Sequence, residues 1–262
     1  MDEFNAALRA AKIGGRILRK HFKHPNVYST GYRDVVTDAD LECERELKKF
    51  FAKNFPYHGF LGEETARKFV DGKNWVVDPL DGTREFAYGI PYFSVSIALF
   101  DRDKALLGVV YNPVTDDLYT ARVGGGAFHN REKIACGSKK SLSSALGSGC
   151  FLYTRPELAK FAYATKIFLL NYSPALDLCS VASGRIDAVV YSVSSFTDHS
   201  AASLIAQEAG AVVSNYGQKT FSPFGSGVMA ANSVLHKQIL RVLPKPFDEL
   251  TSEESQYTAR VF

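Results

Sequence analysis

The chain has 262 residues, 46% of them apolar and 23% charged, with a formal net charge of +3. This is the composition of an ordinary soluble globular protein with an ample core in one large or two modest domains, which excludes disordered and fibrous classes. A charge this small argues against polymeric nucleic acid as a partner across the whole molecule, and no apolar run approaches the roughly 18 residues needed to cross a bilayer.

The chain opens on Asp2 and Glu3 without a secretory apolar segment, and Cys43, Cys136, Cys150 and Cys179 are scattered without zinc spacing. The expectation is a cytoplasmic protein with reduced thiols and no membrane partner. Phe4, Leu8, Ala11, Gly15, Leu18 and Phe22 recur at helical spacing, so the first segment is an amphipathic helix. Arg9, Lys12, Arg16, Arg19, Lys20 and Lys23 read as its solvated face, with an anion-binding or partner surface as the alternative. A loop over 25–32 follows. Thr37 or Asp38 caps a second helix that runs to about Phe55 and stops at Pro56. Asp34, Asp38 and Asp40 crowd its start with more acids than dipole complementarity asks for.

Gly59-Phe60-Leu61-Gly62 predicts a short strand ending in Glu63-Glu64. Trp75-Val76-Val77 predicts the end of a buried strand, followed by a sharp turn at Asp78-Pro79-Leu80-Asp81-Gly82-Thr83. Two acids at a buried strand end need a positive partner, because an unpaired buried carboxylate is very costly. A hard cation such as Mg²⁺ takes such oxygen ligands while keeping several waters; the bland alternative is an acidic surface turn. Phosphatases with an Asp-x-Asp turn carry their nucleophile two positions before the second Asp. That position is Pro79 here, so a covalent phospho-aspartate has no residue to form on.

A short helix follows Thr83, and backbone N–H groups at Gly82 and Thr83 offer a phosphate site. Strands are expected over 93–99, 106–111 and 118–122. Gly124-Gly125-Gly126 lacks the Lys-Ser/Thr ending of a phosphate loop and reads as a hairpin turn. The second half alternates: helix 157–164, strand 167–170, helix 174–183, strand 186–191, helix 199–209, strands 211–214 and 227–230, helix 233–242, and then an irregular tail from Pro244. That alternation argues for an α/β layer. Cys179 and Arg185 fit the spacing of a cysteine-phosphatase loop, but the intervening residues continue a helix that Gly184 can end.

Together, Gly62-Glu63-Glu64, the Trp75–Thr83 stretch, Gly108-Val109-Val110-Tyr111, Gly125-Gly126-Ala127-Phe128, Ser183-Gly184-Arg185-Ile186-Asp187-Ala188 and Asp198 before Ala201-Ala202 resemble the inositol monophosphatase family, from about Gly31 to Asn232. This is a branch of the lithium-sensitive, magnesium-dependent phosphatases that include fructose-1,6-bisphosphatases and 3′-phosphoadenosine-phosphate phosphatases.

The resemblance implies a mixed α/β fold, the five-layer αβαβα sandwich. Residues 1–142 would form an N-terminal half with most metal ligands, and 143–262 a half with the last metal aspartate and the substrate side. It implies Glu63, Asp78, Asp81, Asp198 and the Leu80 carbonyl as ligands for two or three Mg²⁺ ions, with Mn²⁺ a possible substitute and lithium a possible inhibitor. Thr83, Asp40 and Glu63 would be catalytic, Gly82 and Thr83 would grip phosphate, and Ser173, Tyr191 and His199 would lie on the substrate side. The expected activity is hydrolysis of inositol monophosphate or fructose 1,6-bisphosphate by a homodimer. Alternatives are a 3′(2′),5′-bisphosphate nucleotidase, a histidinol-phosphate phosphatase, or a weakly active binding or regulatory member.

The chain departs from the family's pattern on the substrate side. Thr197 stands where Trp is usual, Ser29 where Lys is common, Tyr191 where inositol-specific members have Glu, and Tyr172-Ser173-Pro174-Ala175 replaces a Gly-Thr/Ser-Ala-Ala stretch. Arg84-Glu85-Phe86 is similar to the nucleotide-3′-phosphatase relatives. His199 is either a surface residue at a helix start or a substrate contact.

Overall fold

The computed structural model describes residues 1–31, 34–63, 70–150 and 159–243, so Glu64 and the tail from Pro244 lie outside the described residues. Helix α1 spans Glu3–His21 and is capped by Asp2, whose carboxylate accepts from the Asn5 N–H. Ala6, Ala7, Ala10, Ala11, Gly14, Gly15 and Leu18 form its buried face. Strands β1 (Val27–Gly31) and β2 (Asp34–Thr37) pair antiparallel, so a strand occupies most of the expected 25–32 loop. Helix α2 (Asp38–Asn54) starts from a Thr37 capping box closed by Asp40.

Seven strands follow in one sheet whose spatial order is their chain order: β3 (Gly59–Leu61), β4 (Lys73–Asp81), β5 (Ser94–Asp101), β6 (Lys104–Asn112), β7 (Asp117–Arg122), β8 (Gly126–His129) and β9 (Glu132–Ile134). The β3–β4 pairing is parallel and the others antiparallel. A short helix α3 (Thr83–Ala87) leaves the end of β4. The rest of the chain supplies β10 (Leu146–Cys150), α4 (Ala159–Ala164), β11 (Ile167–Leu169), α5 (Pro174–Ala182), β12 (Ala188–Tyr191), α6 (Phe196–Glu208), β13 (Val212–Ser214), β14 (Val228–Ala231) and α7 (Ser233–Val242). Its strands form a second, mixed sheet in the order β11-β10-β12-β14-β13.

Three apolar clusters stack these parts. Ala7, Leu18, Leu47 and Phe51 of α1 and α2 pack on Trp75, Val77 and Leu99. Leu178, Val181, Ala202 and Ile205 of α5 and α6 fill the space between the sheets, against Val76, Val110, Val189 and Ala230. Phe161, Leu235 and Ile239 of α4 and α7 cover Val190 and Met229 on the far side. The result is the αβαβα sandwich expected from the sequence. The middle layer is tight: a Cβ on Gly108 would stand 2.5 Å from the Ala201 carbonyl, so a strand backbone meets α6 with no room for a side chain. The Gly124–Gly126 segment is a hairpin turn as expected, and its amides are occupied by the chain itself. The Gly124 and Gly126 N–H groups donate to the two carboxylate oxygens of Glu208 at 2.7 and 2.8 Å, fixing the end of α6 to the first sheet. Among the described residues no helix is long and apolar enough to cross a membrane.

Candidate metal centre and phosphate site

Strand β4 does not stop at Val77 as the sequence suggests; it runs through Pro79 and Leu80 to Asp81. Asp78 pairs with Ser96 and Asp81 with Ser94, so β4 carries one more residue than β5 between those rungs. Residues three apart on a regular strand point to opposite faces, whereas one inserted residue reverses the alternation. The packing records that reversal. Val76 lies in the middle layer and Trp75 and Val77 in the outer one, yet Leu80 returns to the outer layer. Asp78 and Asp81 therefore both open into one cavity of about 250 Å³, together with Glu63, Leu80, Gly82, Thr83 and Asp198. Gly82 has φ +88°, and a Cβ there would stand 2.8 Å from the Tyr92 carbonyl, so the turn out of β4 admits only glycine without strain.

The acids are held from behind. Asp81 Oδ2 accepts from the Ser173 hydroxyl in a short bond, from the Ala175 N–H at 3.2 Å at the start of α5, and from Ser94 at 3.4 Å. All three bonds fall on one oxygen. Asp78 Oδ1 accepts from the Leu80 N–H at 2.9 Å. Asp198 sits in the first turn of α6, its carboxylate accepting from the Ser195 N–H at 2.8 Å and from the Ser195 hydroxyl. Glu63 is exposed as a residue, but its carboxyl reaches inward to a hydrogen bond with Asp78. Asp40 is buried behind Thr83, taking Thr37 N–H and Oγ–H bonds at 2.8 and 2.6 Å. The Thr83 hydroxyl has the Leu80 carbonyl at 2.9 Å and Asp40 Oδ1 at 3.3 Å as acceptors.

Such crowding moves the titrations upward. Burial first, and then the charges of Asp78 and Asp198, lifts Glu63 well above the usual carboxylate range. Burial followed by Asp81 and Asp198 does the same to Asp78, and burial raises Asp81 against the lowering bond from Ser173. Burial pushes Asp40 up to about 6 against the bonds from Thr37. Among the described residues no three His, Cys, Asp or Glu side chains already form a metal-ligand cluster. Glu63 and Asp78 are instead joined by their hydrogen bond, and Asp198 is turned to its own helix cap. The donors grouped at Glu63, Asp78, Leu80, Asp81 and Asp198 are nonetheless all oxygens, carboxylates plus the Leu80 carbonyl, which suits a hard divalent cation.

The rest of the lining is neutral or cationic: Val35, Arg84, Cys150, Tyr172, Tyr191 and Val193 contribute to it. The Arg84 guanidinium lies 4.6 Å from the centre of the Tyr172 ring, and Glu85 accepts from the Tyr172 N–H at 2.9 Å. Tyr191 lines the cavity, but its hydroxyl is directed into the protein, 2.9 Å from Asp177 and 3.0 Å from the Asn171 carbonyl. Asp177 is fully buried and also accepts from Tyr92 at 2.5 Å, Ser148 at 2.6 Å and Asn171 at 2.9 Å. Sequence reasoning passes over Asp177 and Cys150, since neither belongs to a spacing that signals chemistry.

Two predicted substrate-side residues stand elsewhere. Ser173 is buried beside Gly82, and its hydroxyl acts on the site through Asp81. His199 is fully buried, with Ser194 Oγ 2.9 Å from Nδ1 and the Pro223 carbonyl 3.3 Å from Nε2. It is neither a surface residue nor part of the cavity lining. The cause is the start of α6 at Phe196, three residues before the expected start at 199: Ser195 and Asp198 form a capping box, and His199 falls inside the helix. Burial lowers its basicity.

A family model described as the inositol monophosphatase family matches residues 1–246. The chain is 34% identical over 251 residues to "Nus factor SuhB" of Haemophilus influenzae, across 90% of this chain and 93% of that protein. It is 34% identical over 262 residues to "Inositol monophosphatase 2" of Solanum lycopersicum, across 93% of this chain and 98% of that one. Among solved structures, the extragenic suppressor protein suhB from Bartonella henselae is similar with a TM-score of 0.87 and 30% identity, covering 93% of this chain and 99% of that chain.

Proposed function

This chain belongs to the inositol monophosphatase family, a family of phosphoric monoester hydrolases, and from that premise we propose that it is a Mg²⁺-dependent phosphomonoesterase of small sugar or polyol phosphates, inositol monophosphate and fructose 1,6-bisphosphate foremost. The observation that carries this reading is the reversal in β4 that turns Asp78 and Asp81 into the same cavity as Glu63 and Asp198.

Glu63, Asp78, Asp81, Asp198 and the Leu80 carbonyl would hold the ions. Bound there, Mg²⁺ supplies an acidified water and charge neutralisation at the leaving oxygen. The chain's own residues do the positioning. Ser173 and the Ala175 N–H fix one Asp81 oxygen, so the other keeps a constant direction. Gly82 and Thr83 supply backbone N–H groups to the phosphoryl oxygens, and the Thr83 hydroxyl, held between Leu80 and Asp40, orients the attacking water. In-line attack by water needs no nucleophilic side chain, in keeping with Pro79 two positions before Asp81.

The Arg84–Tyr172 pair in the cavity lining favours the alternative within the family, an adenosine bisphosphate or histidinol phosphate whose planar ring and second charge those side chains would meet. A binding or regulatory role is favoured by the name borne by the Haemophilus relative. The reading also carries a cytoplasmic location and a homodimer. A panel of inositol 1-phosphate, fructose 1,6-bisphosphate, phosphoadenosine phosphate and histidinol phosphate, assayed with and without Mg²⁺, tests it. Mg²⁺-dependent phosphate release from the first two is expected; no release from any of them by folded protein rejects the enzyme reading.

A further inference from the structure

After Glu3, every residue of α1 that bears a fixed charge is a cation: Arg9, Lys12, Arg16, Arg19 and Lys20. At 3.6 residues per turn these five fall within an arc of about 100° and a length of about 17 Å, and Lys23 follows in the next turn. The arc lies opposite the buried face of Ala6, Ala7, Ala10, Ala11, Gly14 and Leu18. Arg9, Arg16, Arg19, Lys20 and Lys23 are exposed.

A face that only needs to be wet mixes both signs, because like charges three or four positions apart destabilise a helix. Here 9/12, 12/16, 16/19 and 16/20 are all such pairs. The chain relieves two of the cations, Lys12 with Asp116 at 2.7 Å and Lys20 with Glu42 at 3.3 Å. Among the described residues, Arg9, Arg16, Arg19 and Lys23 have no ion-pair partner. The stripe is thus a linear row of charge in which Asp116 and Glu42 offset Lys12 and Lys20, while Arg9, Arg16, Arg19 and Lys23 make no ion pair among the described residues.

We propose that this face of α1 is a docking surface for the phosphate backbone of double-helical nucleic acid. The apolar side of the helix is locked in the core, so it has nothing to insert into a membrane interface. No aromatic side chain stands in the arc, so unpaired bases have no stacking platform, which disfavours single strands. A row rich in arginine meets phosphate oxygens without reading sequence. The surface is independent of the phosphatase reading, since none of its residues lines the cavity.

The test is fluorescence anisotropy of a labelled 20-base-pair DNA duplex of mixed sequence, titrated with the full chain between 50 and 200 mM KCl. Micromolar binding at 50 mM salt is expected, with a log K against log salt slope of about −3 to −4 for four phosphate contacts. Arg16→Glu/Arg19→Glu should weaken it at least about 10-fold and flatten the slope by about 2. Lys160→Glu/Lys166→Glu, which makes the same charge change on the exposed surface of another part of the protein, should leave it nearly unchanged. Both variants should keep the parent's melting temperature. No binding at 50 mM salt, equal loss in the two variants, or binding to phosphatidylserine vesicles in place of duplex would each overturn the proposal.

Discussion

Asp78 and Asp81 lie three positions apart on one strand and open into the same cavity, because β4 carries one residue more than β5 between the Ser96 and Ser94 rungs. If both carboxylates hold metal, Asp81→Asn removes a ligand and should cut Mg²⁺-dependent turnover by more than the roughly 10–100-fold that loss of an outer partner costs. The melting temperature of the metal-free protein should stay or rise, since a buried acid is replaced by a neutral isostere. Phosphate release and a thermal ramp on the same preparation check both halves; full activity would remove Asp81 from the ligand set.

Ser173 packs beside Gly82, but its hydroxyl donates to Asp81, so its polar contribution to the cavity passes through that carboxylate. Ser173→Ala should weaken Mg²⁺ binding about 10–100-fold while leaving turnover at saturating Mg²⁺ much closer to that of the parent. Calorimetric titration of Mg²⁺, paired with activity measured across a Mg²⁺ series, separates affinity from turnover.

Burial and mutual charge raise Glu63, Asp78 and Asp81 above the ordinary carboxylate range. The metal-free site therefore retains protons that a cation must displace. Mg²⁺ binding should release protons and weaken as pH falls, because each retained proton competes with the ion. Titration in buffers of different ionisation enthalpy measures the release; a buffer-independent heat at pH 6 would contradict it.

Asp40 gives a stability prediction with a definite sign. Burial raises its titration from an ordinary 3.8 to about 6 in the fold, so between those values the folded state binds more protons than the unfolded one. The stability this group contributes is full below about 3.8 and is lost as pH rises to about 6, about 3 kcal/mol in all. Denaturant midpoints of the metal-free protein across that window should show this slope reduced in Asp40→Asn.

Tyr191→Phe should separate stability from chemistry. It takes one of four donors from the buried Asp177 carboxylate, at a cost of about 1.5–3 kcal/mol. At this chain length that is a fall in melting temperature of roughly 3–12 °C. The hydroxyl points away from the cavity, so kcat/KM for the preferred substrate should change little.

How far the sequence can be read depends on which interactions are local. The helices are legible from periodicity and caps, since Thr37 and the Phe4–Phe22 rhythm act within one or two turns. The acids at 63, 78, 81 and 198 stand out by type and by family likeness, and the fold brings them to one cavity. What stays hidden is the course of β4. Pro79 reads as a strand breaker, and only the pairing with β5 reveals a strand that continues with a changed phase. The place of His199 depends on a start for α6 that Ser195 sets three residues early. Ser173 and Asp177 are polar residues near the start of an apolar helix, and their partners Asp81, Tyr92 and Ser148 come from distant stretches of chain. No local pattern encodes those pairings.

The carboxylates of the cavity come from the first sheet and from a helix wedged between the two sheets, joined by a long stretch of chain. An ion gripped by both would be a removable tether, cross-linking segments otherwise held by apolar contact and by a few hydrogen bonds such as those of Glu208 to Gly124 and Gly126. Chelation would then do more than silence a catalyst: it would lower the unfolding temperature in proportion to the logarithm of free cation, and ion content would become a variable of shelf life as much as of rate.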